Sequence, residues 1–588
     1  MQERVAARRR RRRRHREPAA AFHPLRFNLP MTTPLGLARV WISVSLFGLG
    51  LGPVMADSNS TTPVVAPPLF TDIGSHSRII SGAKPETQRY FDQGVAFVTG
   101  FNHDEGLRAM QHATRLDSEC AMAWWGVALA CSPHINGTGV SAPRAKLAWE
   151  ALAQAQKFSA AATAPEQALI RAMATRFSGD EKAKRRPLDE AYVAAMREVY
   201  QAHPGDADIA AWFADAMMML RPWDLWKKNG EAHPGTEEAL AALDEALRLN
   251  PRHPLANHLA VHAHEASPQP GRADAAADRL RDLAPGLGHL VHMAAHIDVR
   301  RGRWDEAILV NTKSIAANRR YREIVDRPLS GYLGYMGHDY HMLTYAAMMS
   351  GRSRLAAQTM RDLFTEMPAE WPREGTMGDG YFAMHFEVMK RFGRWDEILA
   401  APEPIEKYRH ARVWRFLARG IALAAKGDPV GARAEERAFV EARAKVPEKA
   451  EYRKNSLNDV LEIAARLLDG EILLREGKIE AALAALREAV EREDKLRYAE
   501  PPAWAQPVRH ALGAALLQRA RLAEAEDVYR EDLARTPDNG WSLFGLAQAL
   551  RLQNKNPAEA ADLEARFKRV WAQADVTLTS SCFCLPGT

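Results

Sequence analysis

Two short stretches, NHLAVHAHEAS and HLVHMAAHI, hold His258, His262 and His264, then His289, His292 and His296. With 20 histidines in 588 residues, the 84-residue span 258–341 should hold about three, and it holds eight. Imidazole is a ligand for Zn, Cu, Fe and Ni. Three protein ligands with one open position make a catalytic arrangement on such an ion. The spacing tests whether these side chains can meet.

Pro251 and Pro285 are 34 residues apart, and the same offset relates His258 to His292 and His262 to His296. With each proline taken as position 32 of a 34-residue unit, these pairs fall at positions 5 and 9. Glu265 falls at position 12 and His289 at position 2. The turns Gly302-Arg303 and Gly351-Arg352 lie 49 residues apart, which aligns His338 with His289 and His341 with His292. Tyr345 then falls at position 9, as does Glu387 in the unit that ends at Gly393-Arg394. Positions 2, 5, 9 and 12 differ by three or four residues, so they share one helical face. His264, at position 11, points elsewhere.

Packed helices lie about 8–10 Å apart, so imidazoles from neighbours can reach one ion with bonds of about 2 Å. The register assigns His262, Glu265, His292, His296 and His341 as inner ligands. His258, His289 and His338 are assigned as outer residues that orient ligands or substrate, with Tyr345 and Glu387 beside them. The competing reading is a set of structural histidines bonded to backbone carbonyls, or copied by repeat duplication. Seven on one face of three helices are too polar for simple packing. The HExxH pattern of zinc proteases does not occur.

The elements that carry these residues are helical almost throughout from about residue 83. Ala and Leu recur at helical spacing, and Gly-Arg, Asn-Pro or Ala-Pro-Gly breaks the pattern every 15 or so residues. Small residues recur where paired helices must approach closely, with a larger residue between them and Pro after: Ala239, Leu243, Ala246 and Pro251, then Ala273, Ala277, Leu280 and Pro285. Gly106, Met110, Ala113 and Ser118 repeat the pattern, followed by Trp124, and Ala525, Tyr529 and Pro537 repeat it near the end. From about residue 85 to 575 the chain resembles tetratricopeptide-repeat (TPR) proteins, of an exported, bacterial type. The resemblance implies an all-α solenoid, a right-handed superhelix of helix pairs whose first helices line the concave face. In that family this face contacts ligand.

The spacings of 49 and 42 residues exceed the unit, around NRRYREIVDRPLSGYLGY and TEMPAEWPREGTMGDGY. Insertions in repeat arrays form loops. These carry Tyr321, Tyr332, Tyr335 and Trp371, and two readings of them are open: a cover over the groove, or ordinary long surface loops. Arg319, Arg320 and Arg322 read as a solvated charge run.

The pI near 9.0 suggests nucleic acid until the charge is located. Residues 1–30 carry a net +8 and residues 31–56 add Arg39, so residues 57–588 carry −3 of the total +6. The body therefore gives no electrostatic case for nucleic acid. Residues 1–30, with Arg8 to Arg16, read as sequence upstream of a true start at Met31. Residues 31–56 read as a signal peptide, with Arg39, an apolar run and Val54-Met55-Ala56. No other stretch is apolar enough to span a bilayer. The expected protein is periplasmic or secreted. Residues 57–82 are expected to be a linker, 83–400 the His/Glu-lined solenoid, 401–576 plain scaffold repeats, and 577–588 a tail. Cys120 and Cys131 fall on helices, and Cys582 and Cys584 fall in the tail without partners at zinc-site spacing. Phosphate-loop, nucleophile-elbow and dinucleotide fingerprints are absent.

Two functions are open to such a chain. One is a solenoid that binds a protein, peptide or small-molecule ligand in its groove, with a transition metal on the histidines. The other is a metal-dependent hydrolase or oxidoreductase using the same cluster.

Overall fold

The computed structural model describes residues 66–585 except 181, 326, 328, 330, 369–376 and 405–406. The leader, the signal peptide, the first part of the expected linker, Trp371 and the last three residues lie outside the described residues.

The architecture is an all-α, TPR-like solenoid of helix pairs, running from Pro85–Thr99 to Pro557–Val570. Its punctuation is local. Asn102, Asp206, Asp428 and Asn539 cap helices by accepting from backbone N–H groups of the first turn. The small-residue positions expected to face partner helices are buried: Ala239, Leu243, Ala246, Ala273, Ala277, Leu280, Ala525 and Tyr529. A two-residue hairpin, Glu451–Tyr452 with Asn455–Ser456, is the strand pairing among the described residues.

The pairs wind until residues some 200 apart in sequence touch. Trp304 Nε1 donates to the Asp538 carbonyl at 2.8 Å, and Trp541 Nε1 to the Met348 carbonyl at 2.9 Å. The Gly-Arg turns serve these contacts. Gly302 and Gly351 have φ of +69° and +73°, where a side chain would be strained. A Cβ at Gly302 would lie 2.4 Å from the Pro537 carbonyl oxygen, and one at Gly351 would meet the Trp571 ring at the same distance.

Two segments depart from expectation. Residues 66–82, expected as linker, form an extended strap bonded across several repeats. Phe70 N donates to Gln93 Oε1 (2.9 Å), Ser81 N to Glu166 Oε1 (2.8 Å), and Arg78 Nη1 to Asp208 Oδ2 (2.9 Å). The tail also packs: Leu578 and Leu585 are buried, Ser581 meets the Tyr529 hydroxyl at 2.6 Å, and Cys582 and Cys584 form a disulfide. Packing is continuous across residue 400, with Phe386 and Met389 in one core with Val413 and Leu417. No described helix is long and apolar enough to cross a membrane.

Candidate metal centre

Three consecutive first helices present the histidines. His253 caps Pro254–His264 by accepting from Ala256 N at 3.1 Å, and Pro254 supplies the fixed φ of a first turn. This helix carries His258 and His262, with Glu265 at its end. The second is Gly288–His292 continued by Ala294–Arg300, and the third is Leu333–Met349. The ligand atoms of His258, His262 and His289 lie within 4.8 Å of one another, and so do those of His292, His296 and His338.

Hydrogen bonds fix the tautomers. His258 Nδ1 donates to the Thr99 carbonyl at 2.7 Å. His262 Nδ1 and His296 Nδ1 each donate to one oxygen of Glu265, both at 2.6 Å. His292 Nδ1 donates to Asn311 Oδ1 at 2.6 Å, and Asn311 is oriented because its own amide donates to the Ala307 carbonyl at 2.7 Å. All four rings therefore carry the proton on Nδ1 and turn an Nε2 lone pair inward. This is how metal-bound imidazoles are held by outer acceptors.

The lone pairs converge. His292 Nε2 and His296 Nε2 are 2.9 Å apart. With both Nδ1 atoms protonated, neither nitrogen has a proton to give the other. Two imidazole nitrogens on one ion, with bonds of about 2.0–2.1 Å, sit roughly 2.9–3.4 Å apart. Nε2 of His258, of His262 and of His341, and both ring nitrogens of His289, are buried without a hydrogen-bond partner. An unmet buried polar atom costs about 1–3 kcal/mol. Five such atoms cost on the order of 5–15 kcal/mol, as much as the whole net stability of many domains.

Burial, with the field of neighbouring histidines, pushes His258, His289, His292 and His338 well below the ordinary imidazole value. Burial also lowers His262. The rings are thus neutral, as metal ligation requires. Burial alone would raise Glu265, but His296 and His262 outweigh it and hold the carboxyl well below the usual range. Burial pushes the Asp339 carboxyl up to about 8. Asp339 receives Ser314 Oγ at 2.5 Å and Asn318 Nδ2 at 2.6 Å on one oxygen, and its other oxygen lies 3.2 Å from His292 Nδ1.

The geometry redistributes the expected roles. Of the expected inner residues, His262 lies in one three-histidine group, and His292 and His296 lie in the other. His258, His289 and His338, expected as outer residues, lie in the two three-histidine groups. Glu265, expected as a ligand, spends both oxygens on Nδ1–H donors and takes a bond from the Tyr498 hydroxyl at 3.4 Å, so it orients imidazoles. His341 sits in neither group; its Nδ1 meets Arg453 Nη2, and Tyr381 lies against its ring at 5.2 Å. Tyr345 and Glu387 are away from the wall. The Tyr345 ring packs edge-on to Trp304 at 5.9 Å, while Glu387 is tied to Lys390 (2.9 Å), Trp414 (3.1 Å) and Gln506 (2.7 Å). At those two positions the lengthened units turn equivalent register toward other neighbours. His264 is buried, and burial lowers it to about 4.

The first insertion does reach the wall: the Tyr335 ring is 4.4 Å from His289, and the Tyr332 hydroxyl accepts from His289 N at 3.4 Å. Tyr321 bonds Glu105 at 3.2 Å instead. The arginine run is paired outside the wall, Arg319 with Glu366, Arg320 with Asp72 and Arg322 with the Glu366 carbonyl.

Several residues at the wall had weak or no sequence signals. Asn311, Ser314 and Asn318 follow an i, i+3, i+7 polar pattern on the Trp304–Ile324 helix, which is legible once the histidines are placed. His134 and His103 extend the ring contacts through Phe101, which lies 4.4 Å from both His134 and His258. The repeats after 400, expected as plain scaffold, cover the centre. Arg453 and Lys454 of the hairpin and Tyr498 of the following loop face it. Arg497 lies 3.9 Å from Asp224, and Lys228 bonds the Lys495 carbonyl, so this loop is joined to residues 224–228. Arg497 N donates to Asn455 Oδ1 at 2.7 Å, which links loop and hairpin.

No protein-family model matches the chain, and the search of curated proteins gives no match. Among solved structures, the chain is similar to Cut9 in the APC/C Cut9–Hcn1 hetero-tetramer, with 13% identity over 80% of this chain and 77% of that one and a TM-score of 0.31. Human IFIT1, solved as a dimer with m7Gppp-AAAA, gives 13% identity, 84% and 91% coverage and 0.31. Yeast Tom70 gives 11% identity, 82% and 90% coverage and 0.28.

Proposed function

We propose that the protein binds a transition metal, of the Zn, Cu, Fe or Ni class, at a histidine centre enclosed by the solenoid, and handles a small ligand there. The observation that carries this reading is the set of four imidazoles whose Nδ1 protons are committed to fixed acceptors, with His292 and His296 turning two lone pairs on each other at 2.9 Å. His258, His262 and His289 would hold an ion as one group, and His292, His296 and His338 as another. Glu265 serves both groups by orienting one ring of each. We further propose export, on the order of charge, apolar run and small residues in 31–56.

A metal-dependent enzyme is the second reading, and one observation favours it. The hairpin and the loop around Tyr498 cover the wall, and three-histidine groups leave coordination positions open. An open peptide-docking groove would not need that cover.

The test is metal content. The chain is purified without a His tag, dialysed exhaustively, and assayed beside the His262→Ala/His292→Ala/His296→Ala variant. Near-stoichiometric metal in the parent and loss in the variant is the expected result. No metal in either, with folding intact and no uptake of added ions, would overturn the reading.

A further inference from the structure

The hairpin turns on Arg453 and Lys454, whose φ angles are +52° and +61°. Tight hairpins use this left-handed pair, and Asn and Gly are the residues that suit it. Two long cations stand there instead, and both face the histidine wall. Arg453 Nη1 lies 2.9 Å from the Glu500 carbonyl and 3.4 Å from His338 Nδ1, and Nη2 meets His341 Nδ1. Its Nε is buried with no partner. Lys454 is exposed, with Nζ 3.1 Å from the centroid of the Trp223 ring, which stands edge-on to His262 at 5.3 Å. Among the described residues no ion pair neutralises either cation; their recorded neighbours are rings and a backbone carbonyl.

The acids nearby do not balance them. Glu265 is engaged by His262, His296 and Tyr498. Arg453 reaches the Glu500 backbone carbonyl rather than its carboxyl, and the Asp339 carboxyl is engaged by Ser314 and Asn318. The imidazoles bring no negative charge, and a divalent ion on them would add two positive ones. A guanidinium presents donors in a fork that matches a carboxylate or phosphate. Arg453 and Lys454 present donors on the cover of an enclosed site, and although burial lowers the Lys454 ammonium to about 7, an anion beside it favours its charged form.

We propose that Arg453 and Lys454 bind the anionic head of a small ligand, a carboxylate or phosphate, and hold it against the histidine centre. The far end of that ligand meets the metal on the reading given above, and so this proposal rests on it for the role of the centre; capture of the anion belongs to the hairpin itself. The shared chemistry is the oxyanion. Planar, singly charged carboxylate and tetrahedral, more highly charged phosphate are the two sources to separate.

The experiment is calorimetric titration of the full chain with inorganic phosphate and, separately, acetate, once metal-free and once loaded with Co²⁺. Parent protein, Arg453→Gln/Lys454→Gln and Lys454→Gln alone are compared, with Co²⁺ content and circular dichroism measured on each. The expected result is anion binding in the parent, weakened at least tenfold in the double variant and at least threefold in Lys454→Gln, with Co²⁺ content unchanged. Lys454 is exposed, so that single variant keeps the test valid if the double variant misfolds. Tighter phosphate than acetate assigns a phosphate head, and the reverse a carboxylate. Absence of binding by either anion in both states, or equal binding in parent and folded variants, overturns the proposal. Variant-sensitive anion binding without Co²⁺ uptake upholds the hairpin site and overturns the metal reading.

Discussion

Histidines occur in this fold in two settings. At the strap, His253 accepts from Ala256 N at 3.1 Å on one nitrogen and meets Asp208 Oδ1 at 2.9 Å on the other, and His76 reaches the same carboxylate at 2.9 Å. In the C-terminal repeats, His510 bonds Arg391 on Nδ1 and Asp532 on Nε2, both at 2.9 Å. His253 and His510 each have both nitrogens satisfied and pin distant segments together. At the wall the rings are equally buried, yet each of His258 and His262 has one nitrogen bonded and one bare, and His289 has two bare. His253 and His510 are as buried as the wall histidines. What differs between these rings is where the second nitrogen goes: to an acceptor or donor at His253 and His510, and to no hydrogen-bond partner at His258, His262 and His289.

The largest expected effect tests this contrast directly. Asp208→Ala removes the acceptor of His76, His253 and Arg78 at once and should cost about 3–5 kcal/mol of stability, as loss of one partner in a buried charged network does, with metal content unchanged. His292→Ala should do the opposite, abolishing metal retention on dialysis with little loss of metal-free stability. Denaturant unfolding and metal analysis on both variants check this, and an exchange of the two phenotypes would break the comparison.

A pH series comes next. Burial lowers His103 to about 4. The unfolded chain takes up a proton near pH 6.5 that the folded ring refuses, so the unfolded state binds more protons and stability falls as pH drops below about 6.5. At pH 5 this one ring costs about 2 kcal/mol, and the loss saturates below about pH 4. His258, His262, His289, His292 and His338 shift the same way, so metal-free protein should melt markedly lower at pH 5 than at pH 7. A flat profile would mean that these rings are not held neutral.

The smallest effect concerns orientation. In Glu265→Gln the amide accepts from one Nδ1–H and presents its own donor to the other, so one ring must change tautomer or turn. Metal affinity should fall about 10–100-fold, the usual consequence of disturbing an outer acceptor, with the ion still bound at saturation. Competition with a chelator measures it. Complete loss would instead make Glu265 a direct ligand.

Much of the wall was legible because it obeys local rules. The offset of 34 residues and the i, i+3, i+4 spacing place His258, His262, His289, His292 and His296 on first helices whatever the winding. Beyond residue 302 the units lengthen to 49 and 42 residues, and register alone carried Tyr345 and Glu387 to the wrong neighbours. Inner and outer roles were not legible either. They depend on which nitrogen finds an acceptor, and the acceptors are Thr99 from the first repeat, Asn311 from a second helix, and Glu265 shared between two helices.

The sequence by itself determined the helix pairs, the close-packed small positions and the shared face of the histidines, because these follow from 3.6-residue periodicity, caps and positive-φ glycines acting over a few residues. Tertiary structure alone decided that the strap is bonded down, that two three-histidine groups form around one carboxylate, and that Arg453, Lys454 and Tyr498 cover them. The reason is cumulative. Each repeat turns slightly on the last, and only the sum over many repeats brings residue 498 to within 3.4 Å of residue 265. No local pattern encodes a sum of that kind.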